Sequence, residues 1–446
     1  MTTLNNSTEV LNYFSNQENV SIINSIKYNK RTLTYHLLND ILITDTSSVT
    51  IILATDEKFN GHNHTIVHNI SRDGLFNVTQ KATVCNLQVF FNSIINNGGG
   101  GVITQSSYNF TVINCVNYSN MGGFCGGICG GSCSNFKIEK CINYGTIING
   151  ASGGIVGDSC SSFTINLCKN YANLSITPNG ESSSGGIVGG DCSIFTICNS
   201  INGLPRTHHN SIGNKNYIYS QSSGGMVGAG NSNFKLINCV NNADLISGWN
   251  GGMIGQNCYD FTVYKCTNNG DIIGDNCGGI VGYQCGASSF PLMKIIKCVN
   301  NGNIMGKHSA GILGDSFFNY AGTQSVNIEV LLYKCINNGI IYDATGTSNG
   351  FCGNKCLDTT ASGQLALNDD IYTLKLMKCK TAYGSLIGSS CFQTNPSNTG
   401  TTYPPRVIKI IDCKKQHGFP YIRNFDTVDN CTAYVVTHKG KKISLI

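Results

Sequence analysis

Cys125-Gly-Gly-Ile-Cys129-Gly-Gly-Ser-Cys133 puts three thiols four residues apart, which raises the question of a metal. In an extended strand those sulfurs would stand about 13 Å apart. Zinc holds thiolates at about 2.3 Å and needs its ligands close together. No His pair lies nearby to complete a set, so no metal is expected. The second chemistry is acidic. Asp158, Asp191 and Asp315 each follow a glycine-rich stretch, and paired carboxylates about 5–9.5 Å apart are what polysaccharide cleavage uses. The copies between them hold Ala229, Gln256 and Tyr283. Only Asp158 and Asp191 could then fall on neighbouring repeats, and they form the one candidate catalytic pair. The third is the stretch itself, Gly185-Gly-Ile-Val-Gly189. A phosphate-binding loop would need a following lysine and a helix start. Neither is present, and no cofactor is expected.

Other residue types read as structural. His62, His64 and His68, with His208 and His209, suit polar corners. Trp249 suits a lid on a core. Thr111, Thr164, Thr196 and Thr262 share one outward slot, but Lys137 and Lys235 interrupt the row. That rules out a flat threonine face for ice or crystal binding.

What positions all of these is a repeat. Strand copies read Phe110-Thr-Val-Ile-Asn-Cys115, Phe136-Lys-Ile-Glu-Lys-Cys141, Phe163-Thr-Ile-Asn-Leu-Cys168, Phe234-Lys-Leu-Ile-Asn-Cys239 and Phe261-Thr-Val-Tyr-Lys-Cys266. Looser copies end at Cys298, Cys335, Cys379 and Cys413, and one copy carries Ser200 in the Cys slot. A glycine companion recurs at Gly126, Gly153, Gly185, Gly224, Gly251, Gly278 and Ala310. A fixed period of about 27 residues signals a solenoid, propeller or array. It holds three short strands and lacks the length of a four-stranded blade, and no unit shows a 3.6-residue apolar period. Phe163 and Ile165 share one face of a strand. Cys168 breaks that alternation, so the chain must bend before it to turn the thiol inward. The glycines are expected both to form corners with positive φ and to let a third wall come close. Asn143, Asn170 and Asn241 follow the corner and suit hydrogen bonds from coil to coil.

The expected fold is all-β: a single-stranded, three-sided, right-handed parallel β-helix of about ten coils with capped ends, coils lying about 4.8 Å apart. The expected division is an N-terminal cap at 1–48, the β-helix at 49–413 and a C-terminal cap at 414–446, where Lys439, Lys441 and Lys442 would charge the open edge. A lone coil buries too few apolar side chains to offset the ordering of its backbone, so the stack is stable only as an array.

The bulk numbers agree with a folded chain. Charged residues are 12% and hydrophobic residues 41%, opposite to the balance of a disordered protein. The net charge of +5 is small and has no basic block, so nucleic acid is not an expected partner. No stretch approaches the roughly 18 apolar residues of a membrane span, and no signal peptide opens the chain, so a cytoplasmic or virion location is expected. Twenty-three cysteines in a chain this long read as small apolar core residues with free, unreactive thiols.

Gly-Gly-Ile-Val-Gly followed by Asn238-Cys-Val-Asn-Asn242 or Lys334-Cys-Ile-Asn-Asn-Gly339 resembles the GLUG-type repeat over roughly residues 110–360. It departs in having Ile or Met for Leu and an added Phe-x-Ile strand start. Members of that family are similar to β-solenoid surface, adhesive and structural proteins. The resemblance implies no single activity and carries over no catalytic residue. The expected function is therefore a non-catalytic rod within a virion, fibre or surface assembly, with protein partners or self-association. A polysaccharide-active enzyme using Asp158 and Asp191, with carbohydrate as ligand, is the alternative.

Overall fold

The structure of the protein is a computed structural model. It describes residues 2–4, 26–43, 49–68, 74–95, 98–148, 150–175, 183–205, 216–286, 292–317, 328–343, 350–353, 372–382, 386, 406–414, 431–436 and 442–444. All its regular elements are strands. The chain divides into two compact units, Met1–Ser220 and Gln221–Ile446, and each is a stack of parallel coils with three walls. The fold is a parallel β-helix.

In the first unit, the first wall runs through Thr34–Leu37, Lys58–Asn60, Ala82–Cys85, Phe110–Ile113, Ser134–Glu139, Ser161–Asn166 and Ser193–Cys198, each parallel to the next. The second wall runs from Ile41–Ile43 through Val116–Asn117, Ile142–Asn143 and Lys169–Asn170 to Ile201–Asn202. Met121–Gly122, Ile147–Ile148, Leu174–Ser175 and Tyr217–Tyr219 make the third. The second unit repeats the plan, with a first wall from Ser232–Ile237 to Cys431–Val436 and a second from Val240–Asn241 to Lys380–Thr381. Parallel pairing thus already includes Thr34–Leu37 and Ile41–Ile43, within the segment expected to be a cap. Antiparallel strands close the first walls: Ile26–Asn29 on Thr34–Leu37, and Lys442–Ser444 on Cys431–Val436. Lys442 stands exposed on that last strand, while Lys439 and Lys441 lie outside the described residues. At the first of these ends, buried Glu57 accepts hydrogen bonds from the Tyr28 and Tyr35 hydroxyls (3.1 and 3.2 Å) and the Ala54 amide (2.8 Å).

Each coil stacks like on like. Phe163 pairs with Phe195 although their spacing has grown to 195 − 163 = 32 residues, so the extra residues leave the coil elsewhere. Rings of Phe110, Phe136, Phe163 and Phe195 stack at 4.7–4.8 Å and within 4° of parallel. The bend before each Cys is a single left-handed residue: Asn114, Lys140 and Leu167 in one unit, Asn238, Lys265 and Lys297 in the other. It turns the next thiol into the core, where the Cys115 amide donates to Cys141 Sγ at 3.4 Å. At Cys168 the amide donates to Ser200 Oγ at 3.2 Å, so serine fills the slot by accepting the same bond. Asn117, Asn143, Asn170 and Asn202 form a buried ladder, each side-chain amide donating to the next at 2.7, 3.0 and 2.9 Å.

One expectation needs correction. The Gly-Gly-Ile-Val-Gly segment is neither a strand nor a wall, and its glycines are not the positive-φ corners. Gly153 and Val156 each make a single parallel bridge to Gly185 and Val188, with a bend between, and Ile155 and Val156 are both fully buried. A strand would alternate its faces. The third wall is formed by the short strands that precede this segment. Positive φ falls mainly to Asn, Ser, Lys and Asp, of which Asn and Asp tolerate it through their short polar side chains.

The described cysteines are free thiols, and all but Cys198 and Cys413 are buried. Burial pushes the Cys141 and Cys168 thiols well up and that of Cys277 up to about 12. Among the cysteines whose side chains are described, a thiolate reagent should therefore label mainly Cys198 and Cys413 in the native protein, and the others once denaturant is added. Rapid native labelling of Cys141 or Cys168, read by peptide mass spectrometry, would contradict this core.

Candidate functional site

Asp158 and Asp191 sit on neighbouring coils of the first unit but at different levels. Ser161 pairs with Ser193, and the Ser159 amide donates to Gly190 O at 3.0 Å, so Asp158 lies beside Gly190 and Asp191 beside Ser159. Asp158 is half-buried. Its carboxylate accepts from Ser159 Oγ at 3.1 Å and overlies Gly131, where a Cβ would collide with Oδ1. Burial first, and the charge of Asp191 besides, hold its carboxyl above the usual range against the Ser159 hydrogen bond. Asp191 is exposed, at a corner with φ of 54°. Asp315 is buried and belongs to the second unit.

The other candidates separate. Cys125 donates to Gly122 O at 2.8 Å, while the turns bring Cys129 against Cys133 and Cys160 of the next coil. Those thiols are therefore closer than an extended strand would hold them. Among the described residues no group of three or more His, Cys, Asp or Glu is arranged to hold a metal. His62 is a corner residue, with φ of 49° and a 2.8 Å hydrogen bond to His36. His64 stands 3.4 Å from Asp40. His68 is no corner: it is fully buried and stacks on Phe91. His208 and His209 lie outside the described residues. Trp249 is half-buried and stacks on Tyr283 at 6.1 Å. Residues 176–182, 206–215 and 318–327, which lengthen three of the steps between repeats, are likewise outside them.

A feature that motif reading passed over lies at the corner before the core cysteines of the second unit. Tyr264, Ile296, Tyr333 and Met377 are in register, which stacks Lys265, Lys297, Lys334 and Lys378 in one exposed column, coil after coil. All four have φ of 53–56°. The ammonium groups of Lys265 and Lys297 stand 5.2 and 5.8 Å from the Tyr264 ring centre, and that of Lys334 stands 5.1 Å from Tyr333. On the adjoining strands, Lys294, Lys375 and Lys409 share an outward column, broken by Leu331. Just past the corner, Lys380 bridges to Lys414. The signal in the sequence was the Lys-Cys dipeptide, repeated four times without a gap.

No helix of the described residues is long and apolar enough to cross a membrane. No family model matches the chain, and no curated protein matches it. Among solved structures it is similar to the crystal structure of the periplasmic alginate epimerase AlgG, at 9% identity and a TM-score of 0.22, over 93% of this chain and 80% of that one. A mutant of the same epimerase aligns at 11% identity and a TM-score of 0.20, over 92% and 79% of the two chains. The fold stands on the strand pairing described above, independently of this likeness.

Proposed function

We propose that this protein is a non-catalytic β-helix scaffold whose outward ladders are docking surfaces in an assembly, in keeping with the resemblance of its unit to GLUG-type repeats. One observation carries the reading: each slot of the coil repeats a structural role, Phe on Phe, Asn on Asn, Cys on Cys, while the candidate acids stand a residue out of register. Protein partners or further copies of the chain follow from it. Native mass measurement of the protein in its source is the test, and a free monomer there would overturn the reading.

A second reading has its own support. A half-buried carboxyl held above its usual range beside a second acid is what a general acid needs, and Asp158 beside Asp191 has that form. On this reading the protein acts on a polysaccharide. Asp158→Asn would then lower turnover of an acidic or neutral glycan by 100-fold or more, a size typical of losing a general acid. On the scaffold reading, wild type and variant show the same absence of turnover.

A further inference from the structure

We infer that the lysine corner of the second unit, Lys265, Lys297, Lys334 and Lys378, is a binding site for a linear polyanionic glycan carrying one negative group on each sugar. Each of these residues occupies a left-handed corner, a conformation that Asn adopts more readily than Lys. The first unit places Asn at this corner in Asn86, Asn114 and Asn199, and the Asn114 side chain donates to Asn86 Oδ1 at 2.9 Å. Where the first unit does place a lysine there, at Lys140, Glu139 stands 3.8 Å away, a carboxylate it shares with Lys137 at 2.7 Å.

None of the four lysines makes an ion pair among the described residues. On the strands and corners that face them, Glu329 lies at the far end of its strand and Asp412 follows Lys378 at the end of the column. Like charges one coil apart, about 4.8 Å, repel one another. Tyr264 and Tyr333 hold three of the ammonium groups near the wall by cation–π attraction, so the column is preorganised. A row of cations fixed in this way is matched by a straight row of anions.

The column is straight and offers one charge per coil. An extended pyranose chain linked across the ring also runs straight and turns successive sugars to opposite sides, so a carboxylate or sulfate on every sugar faces the row at every second sugar and meets alternate lysines. Duplex DNA presents a phosphate about every 3.4 Å per strand and winds away from a straight row. Single-stranded nucleic acid needs open aromatic faces for its bases, whereas the Tyr264 and Tyr333 rings already carry lysine ammonium groups.

The site rests on the scaffold reading to the extent that the glycan is held and not turned over. The test is titration of the full chain with polygalacturonate, a sulfated glycan, neutral dextran and a single-stranded DNA at several salt concentrations. Polygalacturonate or the sulfated glycan should bind and lose affinity as salt rises, and dextran should not bind. The combined variant Lys265→Asn, Lys297→Asn, Lys334→Asn and Lys378→Asn should bind at least tenfold more weakly with a shallower salt dependence. Asn is native to this corner in the first unit, so an unchanged melting temperature should accompany the loss. Lys140→Asn should bind like wild type. Equal binding by the combined variant, binding of neither glycan, or tighter lysine-dependent binding of DNA would overturn the site. Shortening of the bound glycan, read by size exclusion, would overturn the scaffold reading while leaving the site in place.

Discussion

Replacing Gly252 with valine is expected to be among the most destabilising single changes this protein can suffer, at about 3 kcal/mol or more. Gly252 is the second glycine of Gly251-Gly-Met-Ile-Gly255. Its amide donates to Gly278 O at 2.9 Å, tying it to the next coil. A Cβ there would overlap the carbonyl oxygen of Gly279 and lie 2.6 Å from Cγ and Nδ2 of Asn268. Neither neighbour can yield. The carbonyl belongs to the backbone of the next coil, whose spacing is set by hydrogen bonds on every wall. The Asn268 amide is fully buried within its own ladder. Alanine at the same position should already show most of the cost, because the collision begins at Cβ. Gly248→Ala, four residues earlier, is the control: its Cβ would meet only Asp275 O at 3.4 Å and the Asp275 amide nitrogen at 3.9 Å, which is ordinary contact. Urea unfolding should show a large drop in midpoint for Gly252→Val and a change within about 0.5 kcal/mol for Gly248→Ala. Similar midpoints for the two would remove the steric account of the glycine pair.

This contrast marks how far the sequence could be read. The period of Phe, Cys and Asn named the columns that stack, because each of those side chains has a role only in a repeating coil. Phe163 and Ile165 showed one inward face, and the break at Cys168 showed a bend. The glycine pair was legible as a close approach but not as a bridged turn, since a residue without a side chain has no face to reveal. Glycine's freedom at positive φ pointed to the wrong corners. Those corners are held largely by Asn, Ser and Lys: Asn tolerates the left-handed region by itself, whereas on Ser and Lys the stack imposes it. His68 looked like its polar neighbours His62 and His64, and only the second wall's register turns it inward against Phe91. Among the candidate site residues, Asp158 and Asp191 were placed on neighbouring coils by counting. Their offset of one residue depends on the length of each turn, which the repeat does not fix. The lysine column was visible letter by letter, yet a residue that precedes a conserved-looking thiol reads as spacing until the corner is seen to expose it.

Changing Asn268 to aspartate is expected to give a protein whose stability depends on pH in a way the wild type's does not. Asn268 uses its whole amide. Nδ2 donates to Gly270 O at 2.9 Å and to Asn300 Oδ1 at 2.8 Å, while Oδ1 accepts from Asn241 Nδ2 at 2.8 Å and from the Gly270 amide at 3.2 Å. A neutral carboxylic acid of nearly the same shape keeps both acceptances and one of the two donations. An ionised carboxylate keeps neither donation, and sets a buried negative charge against the carbonyl of Gly270 and Oδ1 of Asn300. Burial without a cation and hydrogen bonds to the neutral form both raise an acid's pKa in the folded state. Unfolded, the aspartate titrates near 3.9. The folded state therefore binds more protons than the unfolded state between those two values, and the stability of Asn268→Asp falls as pH rises through that window. Below about pH 4 the variant should lie within a few kcal/mol of wild type, reflecting one lost donation and one orphaned acceptor at about 1–3 kcal/mol. Each unit by which the folded pKa exceeds the unfolded one removes a further 1.4 kcal/mol or so as the window is crossed. Asn268→Leu, which cannot titrate, should be destabilised by a similar amount at both ends of the range, since it leaves polar groups of Gly270, Asn241 and Asn300 short of a partner whatever the pH. Urea midpoints of the three proteins at pH 4 and pH 7 separate the two effects. A variant-to-wild-type difference that is the same at both values for Asn268→Asp would mean that water reaches the ladder, and that the column of amides is not the dry interior spine its hydrogen bonds describe.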